Sequence, residues 1–467
     1  MKNRPAHLRL AGIHVEELHR HLFPGDGKEA VAFALCGRHH ATEHDVLLVQ
    51  EVLPVPYADC PVRKADQITW RTEAIEPLLL RASTATPKLA VVKFHSHPTG
   101  YDDFSRTDDI SDRDLFPSIY GWVHDDAPHA SVVILPDRRM FGRSIDSENR
   151  FHRLQQILVA DHDIGLFGTS ASGALPAHAE RHAQVFSDST TSRLRQLAIG
   201  VVGCSGTGSF VIEMLTRLGV RKLVLVDPDR VEYRNLNRIV GTTAADAATG
   251  RSKVEVIGEH VARIGLDTRV EIVPRELASV EAVRALAGCD VLFGCMDSHD
   301  GRRTLNRLAS FYVLPYFDCG VGLVADGCGN IDDVTAASHY VQPGRSTLLA
   351  RRVISQKRAD AEAMARRDPE QYRALHAEKY IEGAEIDSPA VISVNALAAS
   401  LVVNEFLARL HPFRQTANAD YASVRLKYDA MLLDVERETN ATPLRRALGR
   451  GDVHPLLDLP ELSSVGA

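Results

Sequence analysis

Cysteine is scarce and unpatterned in this chain: seven in 467 residues, none after Cys328. That usage excludes a disulfide-stapled secreted framework and fits a reducing cytoplasm. Charge of one sign is not in large excess. A formal net charge of −7 argues against nucleic acid as the main partner. No apolar core follows Met1-Lys2-Asn3-Arg4-Pro5, so no secretion signal is expected. The longest apolar stretch, about 391 to 410, is interrupted by Asn395, Asn404, Glu405 and Arg409. It reads as a packed helix rather than a membrane span. Internal repeats and low-complexity tracts are missing as well. What is present is length for two or three domains, with 45% apolar and 25% charged residues, the usage of a globular protein.

The most informative stretch is Lys93-Phe94-His95-Ser96-His97-Pro98, followed by Ser105 and Asp108. The run Leu89-Ala90-Val91-Val92 leads into it as a strand. Residues i and i+2 of a strand share a side, so both imidazoles can reach one ion. The loop after Pro98 can return Asp108 as a third ligand. Two histidines and a carboxylate suit a catalytic zinc with water in the fourth place, an arrangement that makes a hydroxide nucleophile near neutral pH. Such a site needs a carboxylate to move the proton. Upstream candidates are Glu29, Glu43 and Glu51. The other histidine-rich spots, His39-His40 and His19 with His21, lack a patterned carboxylate and read as solvated positions.

This pattern resembles the JAMM (MPN+, JAB-type) zinc metalloprotease family. The resemblance implies an α/β domain in which His95, His97 and Asp108 hold Zn2+, Glu29 is the acid/base and Ser105 helps stabilise the oxyanion. Glu29 opens the strand before Cys36-Gly37, one residue further from the glycine than is usual in the family. Glu43 is the fallback.

A different chemistry begins near residue 200. The short strand Ala198-Ile199-Gly200-Val201-Val202 runs into Gly203-Cys204-Ser205-Gly206-Thr207-Gly208 and then a helix-period stretch. A second strand, Lys222 to Val226, ends at Asp227. This is a βαβ unit with a glycine-rich turn at a helix N-terminus, where amides and dipole favour phosphate. The turn alone fits an NAD enzyme equally well, although its glycines are offset from GxGxxG. Residues downstream of it decide: Asp229, Asn235, Arg238, Lys253, and a later strand ending at Met296-Asp297. A dehydrogenase has no use for two cations and an added aspartate here. An ATP site does, with Arg238 and Lys253 on the triphosphate and Asp297 on Mg2+.

From about 178 to 412 the chain resembles the ThiF/MoeB and ubiquitin-activating (E1-like) adenylyltransferase family. Arg181-His182-Ala183-Gln184-Val185-Phe186 is similar to its Arg-Tyr-x-Arg-Gln lead-in, and Ser388-Pro389-Ala390-Val391-Ile392-Ser393-Val394-Asn395 to its closing helix start. The resemblance implies a Rossmann-like fold and a homodimer in which Arg181 reaches the partner subunit's ATP site. It implies a nucleotide cradle of Gly203, Gly206 and Gly208, with Asp227 on the ribose beside Asp229, and with Asn235, Arg238 and Lys253 on the phosphates. It also implies a ubiquitin-like or sulfur-carrier protein as substrate, activated as an acyl-adenylate. There are departures. Ser205 replaces the second glycine. Thr347 and Ala350 stand where many relatives carry a Cys-x-x-Cys zinc pair. The usual thioester cysteine is missing, and Cys204, Cys295, Cys319 and Cys328 read as small buried residues.

The expected organisation is α/β throughout: a JAMM domain over 1–150, a helix and linker over 151–177, a ThiF/E1-like adenylyltransferase over 178–440 and a tail over 441–467. The helical piece is placed at 148–161. Residues 350–380 read as exposed, mixed-charge helix, with a carrier-docking surface as the alternative. The pairing predicts a cytoplasmic, bifunctional enzyme acting on the tail of a ubiquitin-like protein, with a possible conjugating enzyme as a further partner and neither nucleic acid nor membrane. The adenylate could instead pass to sulfide or to a peptide or small-molecule amine. A third reading is a scaffold with dead sites.

Overall fold

The computed structural model describes residues 4–168, 175–326, 328–377, 390–439 and 444–463. The chain divides into two compact α/β units. The first comprises 1–170, 310–313 and 447–460; the second holds the remainder.

The first unit is built on a nine-stranded sheet. From edge to edge its strands are Ile164–Gly168, Gln156–Ala160, Ala6–Ala11, Asp45–Pro54, Val31–His40, Ala90–Ser96, His129–Ile134, Met140–Ile145 and Phe151–Arg153. The alternation of a strand sends neighbouring residues to opposite faces. Ala32, Ala34 and Cys36 join one apolar cluster with Ala90, Val92 and Phe94. Val31, Phe33 and Leu35 join the other with Val91 and with Phe116, Ile119 and Val123 of the helix Arg106–Val123. The odd-numbered face of Ala90–Ser96 therefore looks at that helix. It is apolar at Val91 and becomes polar at Lys93 and His95.

Three sequence expectations need correction here. The piece 148–161 is not helical; Phe151–Arg153 and Gln156–Ala160 are strands, followed by Ile164–Gly168. The run Ile157-Leu158-Val159 is buried on both faces and pairs in parallel with Ala6–Ala11. Strand pairing overrides local helix propensity. Nor is 447–460 a separate tail, since it belongs to the first unit. Gly451 bridges to Arg38, and Asp452 accepts from His39 Nδ1 at 2.9 Å. Finally, 350–380 is more than a solvated face. The helix Gln356–Arg367 buries Ala359, Ala361 and Ala363, and Arg366 pairs with Asp300 at 3.0 Å. Residues 378–380 of that stretch lie outside the described residues.

The second unit carries an eight-stranded sheet. Its order is Arg269–Val273, Lys222–Val226, Ala198–Val202, Val291–Gly294, Tyr316–Ala325, Ile331–Val341, Ser423–Lys427 and Leu432–Glu436. The first five run parallel and the rest antiparallel. Strand order reverses between Ala198–Val202 and Val291–Gly294, the place where open α/β sheets bind ligands at their carboxyl ends. The helix Ile392–Leu410 is long and apolar enough to cross a membrane by composition. Within this unit it packs on the helix Gly206–Arg217 and the strand Ile331–Val341. Its Arg409 is fully buried over the Tyr340 ring and donates to the Asn418 carbonyl.

Candidate functional site

In the first unit, His95 is the penultimate residue of a fully buried strand and His97 follows its end. Ser105 caps the helix Arg106–Val123: its Oγ accepts from the Asp108 amide at 3.1 Å, while Asp108 Oδ2 accepts from the Ser105 amide at 2.6 Å. This reciprocal box holds the Asp108 carboxylate at the helix start. It also occupies the Ser105 oxygen, leaving the hydroxyl hydrogen available to donate.

The three side chains meet. His95 Nε2 and His97 Nε2 are 3.2 Å apart, and Asp108 oxygens lie 2.9 Å from the first and 3.3 Å from the second. A tetrahedron with bonds of about 2.0–2.1 Å has edges of about 3.3 Å, so the donor set fits zinc. His97 Nδ1 donates to the Tyr101 carbonyl at 2.8 Å, which turns its Nε2 lone pair to the site. His95 Nδ1 is buried with no hydrogen-bond partner. Burial pushes the His95 imidazole down; Asp108 outweighs burial at His97 and holds that ring up. Burial also pushes the Asp108 carboxyl up, but its bonds to both histidines hold it far below the usual carboxylate range.

Glu29 reaches the site through register. Val31 pairs with His95, and the Ser96 amide donates to the Ala30 carbonyl at 3.2 Å. Continuing that antiparallel pairing sets Glu29 opposite His97 on the same face. Glu29 lines one cleft with His95, Asp108, Trp70 and Lys93. Burial raises its carboxyl to about 7, His97 opposing and Asp108 reinforcing. A carboxyl balanced there suits proton transfer at neutral pH. The fallback Glu43 is not brought to the site. It lies in the turn after His40, at the far end of a ten-residue strand, about 30 Å from Val31. Glu51 is exposed and paired with Arg81. Among the described residues one other group converges, the half-exposed Glu16, Asp161 and His162.

In the second unit, Gly203 has φ +88°, and a side chain on Gly208 would collide with the Gly203 carbonyl. Only glycine permits this turn. Asp227 is buried beneath it, accepting from the Cys204 amide at 2.7 Å and the Asp229 amide at 2.9 Å. Burial raises its carboxyl. Lys253, buried, donates to Asp229 at 2.7 Å. Asp229 thus holds the lysine. Arg238 donates to the Arg234 carbonyl at 2.7 Å, and its Cδ lies 3.2 Å from where a Gly206 side chain would begin. Asn235 is buried and caps its own turn, accepting from the Glu232 amide at 3.0 Å. Asp297 is exposed between the strand Val291–Gly294 and the next helix. Arg181 is exposed on the helix Glu180–Leu194. Asn395 packs against Gly206 and accepts from Thr207 at 3.5 Å. The sequence marks it only as part of a helix start. Ser388 and Pro389 of that motif lie outside the described residues.

The Cys-x-x-Cys positions hold a turn instead: Thr347 Oγ1 accepts from the Ala350 amide at 3.1 Å. Arg351 beside it pairs with half-buried Glu438 at 2.7 Å. Burial raises the thiols of Cys204, Cys295 and Cys319. Cys328 departs from the expectation, since it is exposed in the turn after Ala325.

Fold and donor sets together define an α/β protein that couples a JAB-type domain to a Rossmann-like adenylation domain. Residues 13–145 match the prokaryotic homologs of the JAB domain, and residues 179–446 match the ThiF family. The second match takes in more than half of the chain, and the chain belongs to the ThiF family. It is similar to ubiquitin-like modifier-activating enzyme 5 of Culex quinquefasciatus, 30% identical over 170 residues, covering 34% of this chain and 40% of that one. The counterpart from Drosophila pseudoobscura pseudoobscura is 33% identical over the same length and shares. The chain thus spans about two fifths of the length of the curated relatives it matches. Among solved structures it is similar to E. coli MccB with ATP, at 16% identity and a TM-score of 0.41, covering 58% of this chain and 74% of that chain. The microcin C7 biosynthetic enzyme MccB with N-formylated MccA gives 16% and 0.44, covering 58% and 76%.

Proposed function

We propose that this chain is a two-site enzyme of a ubiquitin-like or sulfur-carrier pathway. Its second unit adenylates the C-terminal carboxylate of the carrier. Its first unit cleaves a peptide or isopeptide bond at that same tail. The observation that carries the reading is the presence of two built donor sets on one chain: His95, His97 and Asp108 with Glu29 opposite, and the Gly203–Gly208 turn with Asp227, Arg238 and Lys253.

In the second unit a carrier carboxylate oxygen attacks the α-phosphorus of ATP. The bond to pyrophosphate breaks, giving acyl-adenylate and pyrophosphate. The turn amides cradle the phosphates. Asp227 receives the ribose, Arg238 and Lys253 neutralise charge as it develops, and Asp297 would hold Mg2+. The relatives' name, ubiquitin-like modifier-activating enzyme, supports a carrier of that class. Arg181 points to a homodimer, as the family resemblance implies. Release to a conjugating enzyme in the cytoplasm completes the proposal.

In the first unit His95, His97 and Asp108 would hold zinc, which supplies Lewis acidity when bound. Glu29 takes a proton from water and gives it to the leaving amine. The Ser105 hydroxyl donates toward the carbonyl oxygen. The second reading concerns the acceptor. No cysteine follows Cys328, and burial holds the thiols of Cys204, Cys295 and Cys319 protonated. Direct transfer of the adenylate to sulfide or an amine is favoured by that fact.

The test uses the purified full chain, ATP, and a carrier with and without a C-terminal extension. Carrier-dependent ATP–pyrophosphate exchange and removal of the extension are expected. Intact mass of the carrier separates thiocarboxylate, amide and free acid. Absence of both exchange and trimming across candidate carriers would sink the proposal.

A further inference from the structure

The geometry points to Asp112 and Lys93 as positioning residues that set the spacing of the zinc donors. This rests on the zinc reading of His95, His97 and Asp108. Lys93 stands two residues before His95 on one strand face. Asp112 stands four residues after Asp108 on one helix face. Two strand residues advance about 6.6 Å and four helix residues about 6 Å, so the two ladders stay in step. His95 meets Asp108 at 2.9 Å, and Lys93 meets Asp112 as the next rung. One further step brings Val91 and Phe116 into the same apolar cluster.

The rung is buried, with Lys93 at the wall of the cleft. Lys93 is 2% exposed, Asp112 0% and Arg143 6%. Lys93 Nζ also reaches Ser111 Oγ at 3.3 Å and lies 5.7 Å over the Trp70 ring. Arg143 grips the other Asp112 oxygen at 2.7 Å and 3.0 Å, and reaches Asp109 as well. Its guanidinium lies 3.9 Å from the Phe104 ring and 4.0 Å from Phe151. Two cations and two carboxylates balance. Burial pushes the Asp112 carboxyl up, and Lys93 with Arg143 outweigh it and keep it ionised.

This matters for His95. His97 is oriented by its bond to Tyr101, whereas His95 Nδ1 has no hydrogen-bond partner. Its Nε2 meets Asp108 at 2.9 Å and its ring lies 6.4 Å from Phe104, and the Lys93–Asp112 rung fixes its strand against the helix bearing Asp108. An ion pair buried this completely is weak evidence for stability. Setting the distance between two ligand-bearing elements is the role that fits it.

Zinc affinity of the full chain, measured by chelator competition, tests the assignment in Asp112→Asn and Lys93→Met. The second variant leaves Asp112 paired with Arg143 and serves if the first does not fold. Carrier-dependent ATP–pyrophosphate exchange and near-UV circular dichroism report the fold. Loss of zinc affinity by about 10- to 100-fold is expected, with kcat falling more than KM rises, and with exchange unchanged. Wild-type affinity in a folded variant overturns the inference alone. Zinc loss that appears only together with lost near-UV signal also overturns it, because the pair is then merely structural. A wild-type chain that holds no zinc overturns the proposed function and this inference with it.

Discussion

The two units solve the problem of holding charge in opposite ways. In the first, Asp108 and two imidazoles aim at one point, with two nitrogens 3.2 Å apart. In the second, the charged groups already have partners within the fold: Lys253 rests on Asp229, Arg238 on the Arg234 carbonyl, and Asp227 on two amides. The first site gathers three donors at one point. In the second, an incoming phosphate would compete with Asp229 and the Arg234 carbonyl for Lys253 and Arg238.

Glu29→Gln breaks the comparison most sharply. Peptide cleavage should fall by about 10²–10⁴-fold while exchange is kept. The raised carboxyl gives the sign of the pH effect: cleavage by wild type should fall at acid pH, where Glu29 takes up its proton. The same shift predicts a stability change in the metal-free protein. A carboxyl raised from 4.5 to about 7 makes the folded state hold the proton longer than the unfolded chain. Stability therefore declines as pH rises between those values and stays lower above them. Each unit corresponds to about 1.4 kcal/mol, so the glutamine variant should be more stable at pH 8 by up to about 3 kcal/mol. Denaturant titration in chelator reads this directly, and a less stable variant contradicts the burial argument.

Lys253→Ala comes next. Exchange should fall by about 10²–10³-fold with cleavage unchanged. Asp229→Ala frees the lysine without removing it and should cost about tenfold or less, read as a rise in KM for ATP. An Asp229 loss equal to that of Lys253 would show that Asp229 itself meets the nucleotide. The smallest effect belongs to Cys328→Ser, which should leave exchange intact. A carrier thioester lost in that variant would restore a thiol relay to the second unit.

Much of the first site is legible in the amino-acid sequence, and unevenly so. His95, His97 and Asp108 sit within fourteen residues, and a strand followed by a capped helix places them almost by local geometry. Glu29 is readable only by resemblance, because what brings it to His97 is the register of two strands sixty residues apart. Its rival Glu43 is separable only once that register is known. Asp112, Lys93 and Arg143 give no signal of their own. Their pattern is ordinary charge on a strand and a helix, and it gains meaning only when a two-residue step meets a four-residue step. The false helix at 148–161 has the same cause, since Ile157-Leu158-Val159 is apolar in either conformation and Ala6–Ala11 decides. In the second unit the glycine turn is plain, while the bond from Lys253 to Asp229 depends on a loop that local pattern does not fix.

Metal analysis of the purified full chain beside Asp108→Ala decides whether the His95, His97 and Asp108 set holds zinc. One zinc per chain is expected in the wild type and none at this site in the variant, with carrier-dependent exchange equal in both. A wild-type chain without zinc, or a variant that keeps the same zinc, would contradict that assignment.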